Sequence, residues 1–226
     1  MGRPAALVFA LSLAIPGIAA ASGSSPMPMP MSGSETQSPT PEQEAVAYYN
    51  DGVAYREKAD KLEKEAATAV DAAKKAKLLD KSKDLHDSSI KKFLKAVRND
   101  PRMFQAWGSL GYAYRKTGNY PVALEAYDKA LALEKSYTPA IEYRAEAYLG
   151  LNRLDEAKSA YMTLFGSDRA RADELVAAME KCVEMRKADP AGVAPATVEE
   201  FGKWVAERKQ LASQTSSLRD PNSPRW

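Results

Sequence analysis

His86 and Cys182 are the chain's whole supply of imidazole and thiol. A histidine-built zinc cluster or a paired-thiol site needs more of these groups than one chain provides. No Gly-x-Ser-x-Gly elbow activates a serine, and no glycine-rich loop is present to cradle a phosphate. Carboxylates are plentiful, but they alternate with Lys and Arg at helical spacing. That pattern makes solvated faces and i,i+4 pairs rather than acid–base machinery. His86 lies in such a charged stretch and is read as facing solvent. Cys182 lies among apolar residues and is read as core. The inventory points to a protein without enzymatic activity, catalytic residues or cofactor. One group is left over: Met27, Met29 and Met31 alternate with Pro28 and Pro30. Soft thioethers suit Cu(I). With no supporting groups around them, three thioethers make a weak site, and the segment also reads as a Pro-rich linker.

The elements that could position anything show best around residue 107. Trp107, Leu110, Gly111 and Tyr114 are spaced i, i+3, i+4 and i+7, one face of a helix. Gly118-Asn119 ends that helix. Ala123, Tyr127 and Ala130 then give a second helix a stripe of small and large residues. The gap at Gly111 lets another helix pack close.

This spacing resembles the tetratricopeptide repeat, whose pattern is W-x2-L-G-x2-Y, then A-x3-F, then P over about 34 residues. Tyr127 stands where Phe is usual, and Lys135 where the closing Pro is expected. One repeat length further on stand Ile141, Arg144, Ala145 and Tyr148, then Ala157, Tyr161 and Leu164. All but Arg144 fit, and Asn152 replaces the turn glycine as a residue tolerant of left-handed backbone. The resemblance therefore implies repeats at 104–137 and 138–171. Upstream, Tyr48, Gly52 and Tyr55 match the first helix of a repeat, and Ser89, Phe93, Ala96 and Pro101 match the second. The stretch from Tyr55 to Ser89 is far longer than its counterpart from Tyr114 to Ala123. By that comparison about 25 residues are inserted at the turn of a repeat over about 45–101.

The insertion, Arg56 to Ser88, has no Gly or Pro and is rich in helix formers. It reads as an extension of both helices, with the turn near Thr68–Lys74 and Asp71 as N-cap. Leu62, Ala66, Ala69 and Ala73 would form a thin coiled-coil seam against Leu78, Leu79 and Leu85. A degenerate fourth pair at 172–211 starts with Leu175, Ala178, Met179 and Cys182. It ends with an amphipathic helix capped by Thr197-x-x-Glu200. The expected fold is all-α, a solenoid of antiparallel helix pairs whose first repeat carries an extended helical hairpin.

The ends of the chain address location. A charged Met1-Gly2-Arg3, an apolar Ala5–Ile15, a Pro16-Gly17 break and small Ala19-Ala20-Ala21 follow the order of a secretory signal. Residues 1–21 are read as that signal, and 22–43 as a disordered linker. The helical domain is set at 44–211 and a disordered tail at 212–226. An exported, periplasmic location is the expectation, with no membrane span after cleavage. A formal net charge of +2 gives no basic bias toward nucleic acid.

In the family, partners bind in the groove formed by the first helices. Carried over, its lining is Val46, Tyr49, Val53 and Arg56, then Gln105, Gly108, Tyr112 and Arg115, then Pro139, Glu142, Glu146 and Leu149. The family's clamp for chaperone C-termini needs Lys and Asn where Tyr49 and Val53 stand, so that role is not implied. The groove mixes Tyr, Arg and Glu and suits an extended peptide or a helix. The resemblance thus implies an exported adaptor for protein or peptide. The alternatives are a Cu(I)-handling protein using the Met-rich segment and a noncatalytic subunit of a cell-envelope complex.

Overall fold

The computed structural model describes residues 38–218. The signal segment, Met27, Met29 and Met31, and residues 219–226 lie outside them. The described residues form eight helices and no strand: α1 (Pro41–Thr68), α2 (Ala72–Asn99), α3 (Phe104–Lys116), α4 (Tyr120–Leu133), α5 (Thr138–Gly150), α6 (Leu154–Ser167), α7 (Arg169–Ala188) and α8 (Pro195–Leu218).

Local chemistry sets the ends of these helices. Thr40 and Gln43 cap α1 reciprocally, and Pro41 occupies its first turn. This starts the helix earlier than the boundary expected at 44. Asp71 caps α2 as expected, its carboxylate accepting from the Lys74 N–H at 2.6 Å. Gly118 at φ 83° and Asn152 at φ 60° turn the chain between α3 and α4 and between α5 and α6. The two positions stand one repeat length apart. The last helix departs from expectation. The Val198 N–H donates to the Ala194 carbonyl, so Thr197 lies inside the first turn of α8 and is not its cap. α8 also runs to Leu218, past the expected limit at 211.

Successive helices pack as pairs. The odd-numbered helices also touch one another, α1 with α3, α3 with α5 and α5 with α7, and so form one layer of the stack. The first two pairs each close on a glycine facing a ring. A Cβ at Gly111 would lie 2.7 Å from Cδ1 of Tyr127, and one at Gly52 would lie 2.5 Å from Cε1 of Phe93. Phe93 and Tyr127 are both fully buried. The split first repeat therefore makes the same close approach as the uninterrupted second one. Ala145 and Tyr161 take the corresponding places in the third pair, in a core that continues through Leu175, Met179 and Cys182 to Phe201.

Trp107 shares the packed face of α3 but lies at its margin. It is half-buried rather than central, because its Nε1–H reaches out to the Pro101 carbonyl at 2.9 Å and Lys129 covers the ring. Tyr114 is likewise half-buried, whereas Leu110, Ala123 and Ala130 are core. Arg144, the misfit of the third repeat, pairs with Asp128 at 2.6 Å.

The extended hairpin is present with a different seam. Ala59, Ala66 and Leu78 are buried, and Leu62, Ala69 and Leu85 are half-buried. Ala73 and Leu79 face solvent, since nothing opposes them in the first turns of α2. Polar residues continue the seam toward the stack: Ser82, His86 and Ser89 are almost wholly buried. By helix length, α1 outreaches α3 by about 22 Å at 1.5 Å per residue.

Candidate functional site

The odd-numbered layer brings most of the expected groove residues together. Tyr112 on α3 meets Tyr143 on α5 edge-on, with ring centroids 5.0 Å apart. Arg115 lies over both rings, 5.1 Å and 5.3 Å from their centroids, and Arg56 approaches Tyr112 from α1. These contacts fit the attraction of a guanidinium for an aromatic face.

The charged members are paired within the layer. Arg115 is bonded to Glu146, and Arg171 to Glu142. Burial works against the Arg115 charge, but Glu146, Tyr127 and Tyr112 hold it above the usual guanidinium range. Glu142 is 2% exposed. Burial raises its carboxyl to about 7, and Arg171 only partly opposes this. Arg115 and Glu142 are thus wall-builders rather than free groups awaiting a partner.

Other expected lining residues divide by exposure. Gln105 and Val46 are exposed, Tyr49 and Val53 are half-buried, and Tyr49 packs on Phe93 with centroids 5.9 Å apart. Gly108 is buried because the Tyr137 ring lies against it, 2.7 Å from where a Cβ would sit.

Between α5 and α7 the layer opens into a cleft of about 660 Å³. Arg115, Glu142 and Glu146 line one side. Glu174, Ala177, Ala178, Lys181, Cys182 and Met185 line the other, and Leu149 and Gly150 form part of the floor. Glu174, Ala177, Lys181 and Met185 are exposed. They come from the degenerate fourth pair, whose lining residues the sequence reading did not name. Continuing the repeat register from Pro139, Glu142, Glu146 and Leu149 into α7 gives Asp173, Val176, Glu180 and Val183, of which Val176 and Val183 are core, so the repeat spacing alone does not find them. Cys182 is core, as expected, and burial pushes its thiol up.

A second cluster lies where the hairpin leaves the stack, and it overturns the reading of His86 as solvated. His86 is 1% exposed. Its Nε2 lies 3.0 Å from Oε1 of Glu63 and 3.9 Å from Oδ1 of Asp60. Ser82 donates to the same Glu63 oxygen at 3.1 Å, Lys116 holds the other, and Tyr112 donates to Asp60 at 2.8 Å. Burial would raise Glu63, but the hydrogen bonds from His86 and Lys116 outweigh it and hold the carboxyl at about 2. An ionised carboxylate can only accept, so Nε2 carries the proton.

Among the described residues, Asp60, Glu63 and His86 are the one trio with donor atoms close enough to share a metal, all within 4.8 Å. The surroundings do not fit an ion. A metal on Nε2 would move the proton to Nδ1, which is buried with no hydrogen-bond partner. A ligating histidine normally donates that second N–H to an acceptor. The Lys116 ammonium already neutralises Glu63. The cluster instead joins α1, α2 and α3 and sets the hairpin on the stack.

Sequence comparison agrees with this architecture. Residues 104–137 and 144–171 each match the pattern described as tetratricopeptide repeat. No curated protein matches the chain. Among solved structures, the first TPR of Spaghetti (RPAP3) bound to the HSP90 peptide SRMEEVD is 20% identical, with a TM-score of 0.41. That alignment covers 75% of this chain and 95% of the other. The first TPR domain of the human RPAP3 protein is 18% identical, with a TM-score of 0.42, covering 77% and 98%.

Proposed function

The chain belongs to the tetratricopeptide repeat family, and from that premise we propose that it is an exported adaptor holding a protein or peptide partner in the groove of its odd-numbered helices. One observation carries the reading, the cleft between α5 and α7. Its volume accepts a few side chains of an extended segment. Its apolar surface at Ala177, Ala178, Leu149 and Met185 can bury them. Exposed Glu174 and Lys181 flank that surface two helical turns apart and can orient a segment by its charges. The paired Arg115–Glu146 and Arg171–Glu142 walls keep the cleft in shape without a partner, which lowers the ordering cost of binding. The order of charge, apolar run and small residues at the N-terminus supports export to the periplasm.

The test is capture from native envelope extract by the purified chain. Ala177→Arg with Met185→Glu places charges in the cleft at exposed positions. It should reduce recovery of the captured partner at least tenfold while leaving the melting temperature unchanged. Glu125→Lys with Met162→Lys, on the even-numbered helices, should leave recovery intact. The reverse outcome would remove the cleft from the function.

A further inference from the structure

The apex of the α1–α2 hairpin has an unbalanced charge. Lys61, Lys64, Lys75, Lys77 and Lys81 are exposed and make no ion pair among the described residues. The carboxylates around them are mostly engaged. Glu63 is held by Lys116 and His86, Glu65 pairs with Lys74 at 3.1 Å, and Asp71 caps α2. Asp80, with Glu57 and Asp84 farther from the turn, remains to answer five lysines. At the centre of this collar stands Val70, 103% exposed, at the tight turn between the helices, and Leu79 is 44% exposed nearby. Beyond Glu63, toward the apex, no described hydrogen bond or ion pair ties α1 to α3.

An apolar point ringed by unpaired ammonium groups has no role in holding the stack together. We propose that the hairpin apex docks on a bilayer surface bearing anionic headgroups. Three observations favour that occupant. The lysines stand on both helices and face several directions around a convex tip, so a deformable surface satisfies them together where a rigid acidic protein would need a socket. Each lysine gains from the negative potential of such a surface within a short distance of it. Val70 projects where an apolar side chain enters the interface between headgroups and acyl chains. The attachment is peripheral, since no described helix is long and apolar enough to cross a membrane. The inference does not depend on what the α5–α7 cleft binds.

The test places a reporter at the apex of the full chain. Cys182 is 2% exposed, so Val70→Cys takes an environment-sensitive fluorophore selectively. Every protein compared carries the same N-terminal segment, and the signal reports the apex alone. Vesicles of phosphatidylcholine and phosphatidylglycerol in equal parts should shift the emission to the blue, and raised salt should reverse the shift. Vesicles of phosphatidylcholine alone should give none. Lys64→Glu, Lys75→Glu and Lys77→Glu together should weaken the apparent partitioning at least tenfold with the melting temperature unchanged. An absent shift, an equal shift on neutral vesicles, or an unaltered shift in the triple variant would overturn the proposal. A shift with poly-glutamate and none with vesicles would also overturn it, and would assign the apex to an acidic polypeptide.

Discussion

Replacing Gly52 by Ala sets two known effects against each other. Within a helix, Ala is favoured over Gly by about 1 kcal/mol. Against that, the new Cβ would meet Phe93 at 2.5, 2.7 and 2.9 Å. These contacts are with a fully buried aromatic ring, which cannot swing out of the way as a surface side chain would. Overpacking of this kind costs about 1–3 kcal/mol, and three sub-contact distances to one rigid ring place it at the upper end. The net expectation is a loss of about 2 kcal/mol, or roughly 4–8 °C in melting temperature for a domain of this size. Gly166→Ala is the matched control, since it lies in α6 with nothing within 4 Å of its added Cβ. It should gain a few tenths of a kcal/mol or more from propensity. Urea unfolding followed by circular dichroism reads both. Phe93→Leu in the Gly52→Ala background makes room for the methyl, so the double variant should lose less than the sum of the single losses. Strictly additive losses, or a Gly52→Ala protein as stable as Gly166→Ala, would refute the close approach that joins the two halves of the split repeat.

Tyr127→Ala should cost about 3–5 kcal/mol, as a fully buried aromatic does, whereas half-buried Trp107→Ala should cost about 2; urea unfolding gives the order. Glu63 has a folded pKa of about 2 against an ordinary 4.5. Its contribution is complete above pH 4.5 and is lost as pH falls from there through 2; Glu63→Gln should flatten that part of the stability–pH curve. Tyr112→Ala with Arg115→Ala should lower the melting temperature, because it strands the Glu146 and Asp60 carboxylates; an unchanged melting temperature would mean the pair faces solvent. Native Cys182 should resist thiol reagents until the chain unfolds, as timed absorbance would show.

Much of the fold was legible in the sequence because the repeat constrains it locally. Gly118 and Asn152 announce their turns by residue type alone. Asp71 announced the hairpin turn because a short acceptor before a run of helix formers has few other uses. The register of Gly52 and Phe93 survived the insertion and could be found by counting. His86 could not be read this way. Its neighbours in α2 include Lys, Asp and Ser, the signature of a solvated face, and the groups that meet it are Asp60 and Glu63 on α1 and Tyr112 on α3, the last in a different repeat. The depth of Trp107 could not be read either. The pattern gave its face but not its depth, which Pro101 and Lys129 decide. The mutual pairing of Arg115 and Glu146 depends on side-chain reach across the repeat interface, and no spacing rule supplies that.

The extra residues of the first repeat enter at the handover between its two helices, and the packing at Gly52 and Phe93 matches that at Gly111 and Tyr127. An unstructured insertion there would add only a slowly growing loop-closure cost. Here the insertion closes itself with its own helical hydrogen bonds and an Asp71 cap. The turn of a repeat thus behaves as a port, through which paired helical length can be threaded without disturbing either neighbour. Whole turns could be removed from α1 and α2 together, or added, shortening or lengthening the arm while the stack keeps its register. The repeat array and its arm can therefore vary separately.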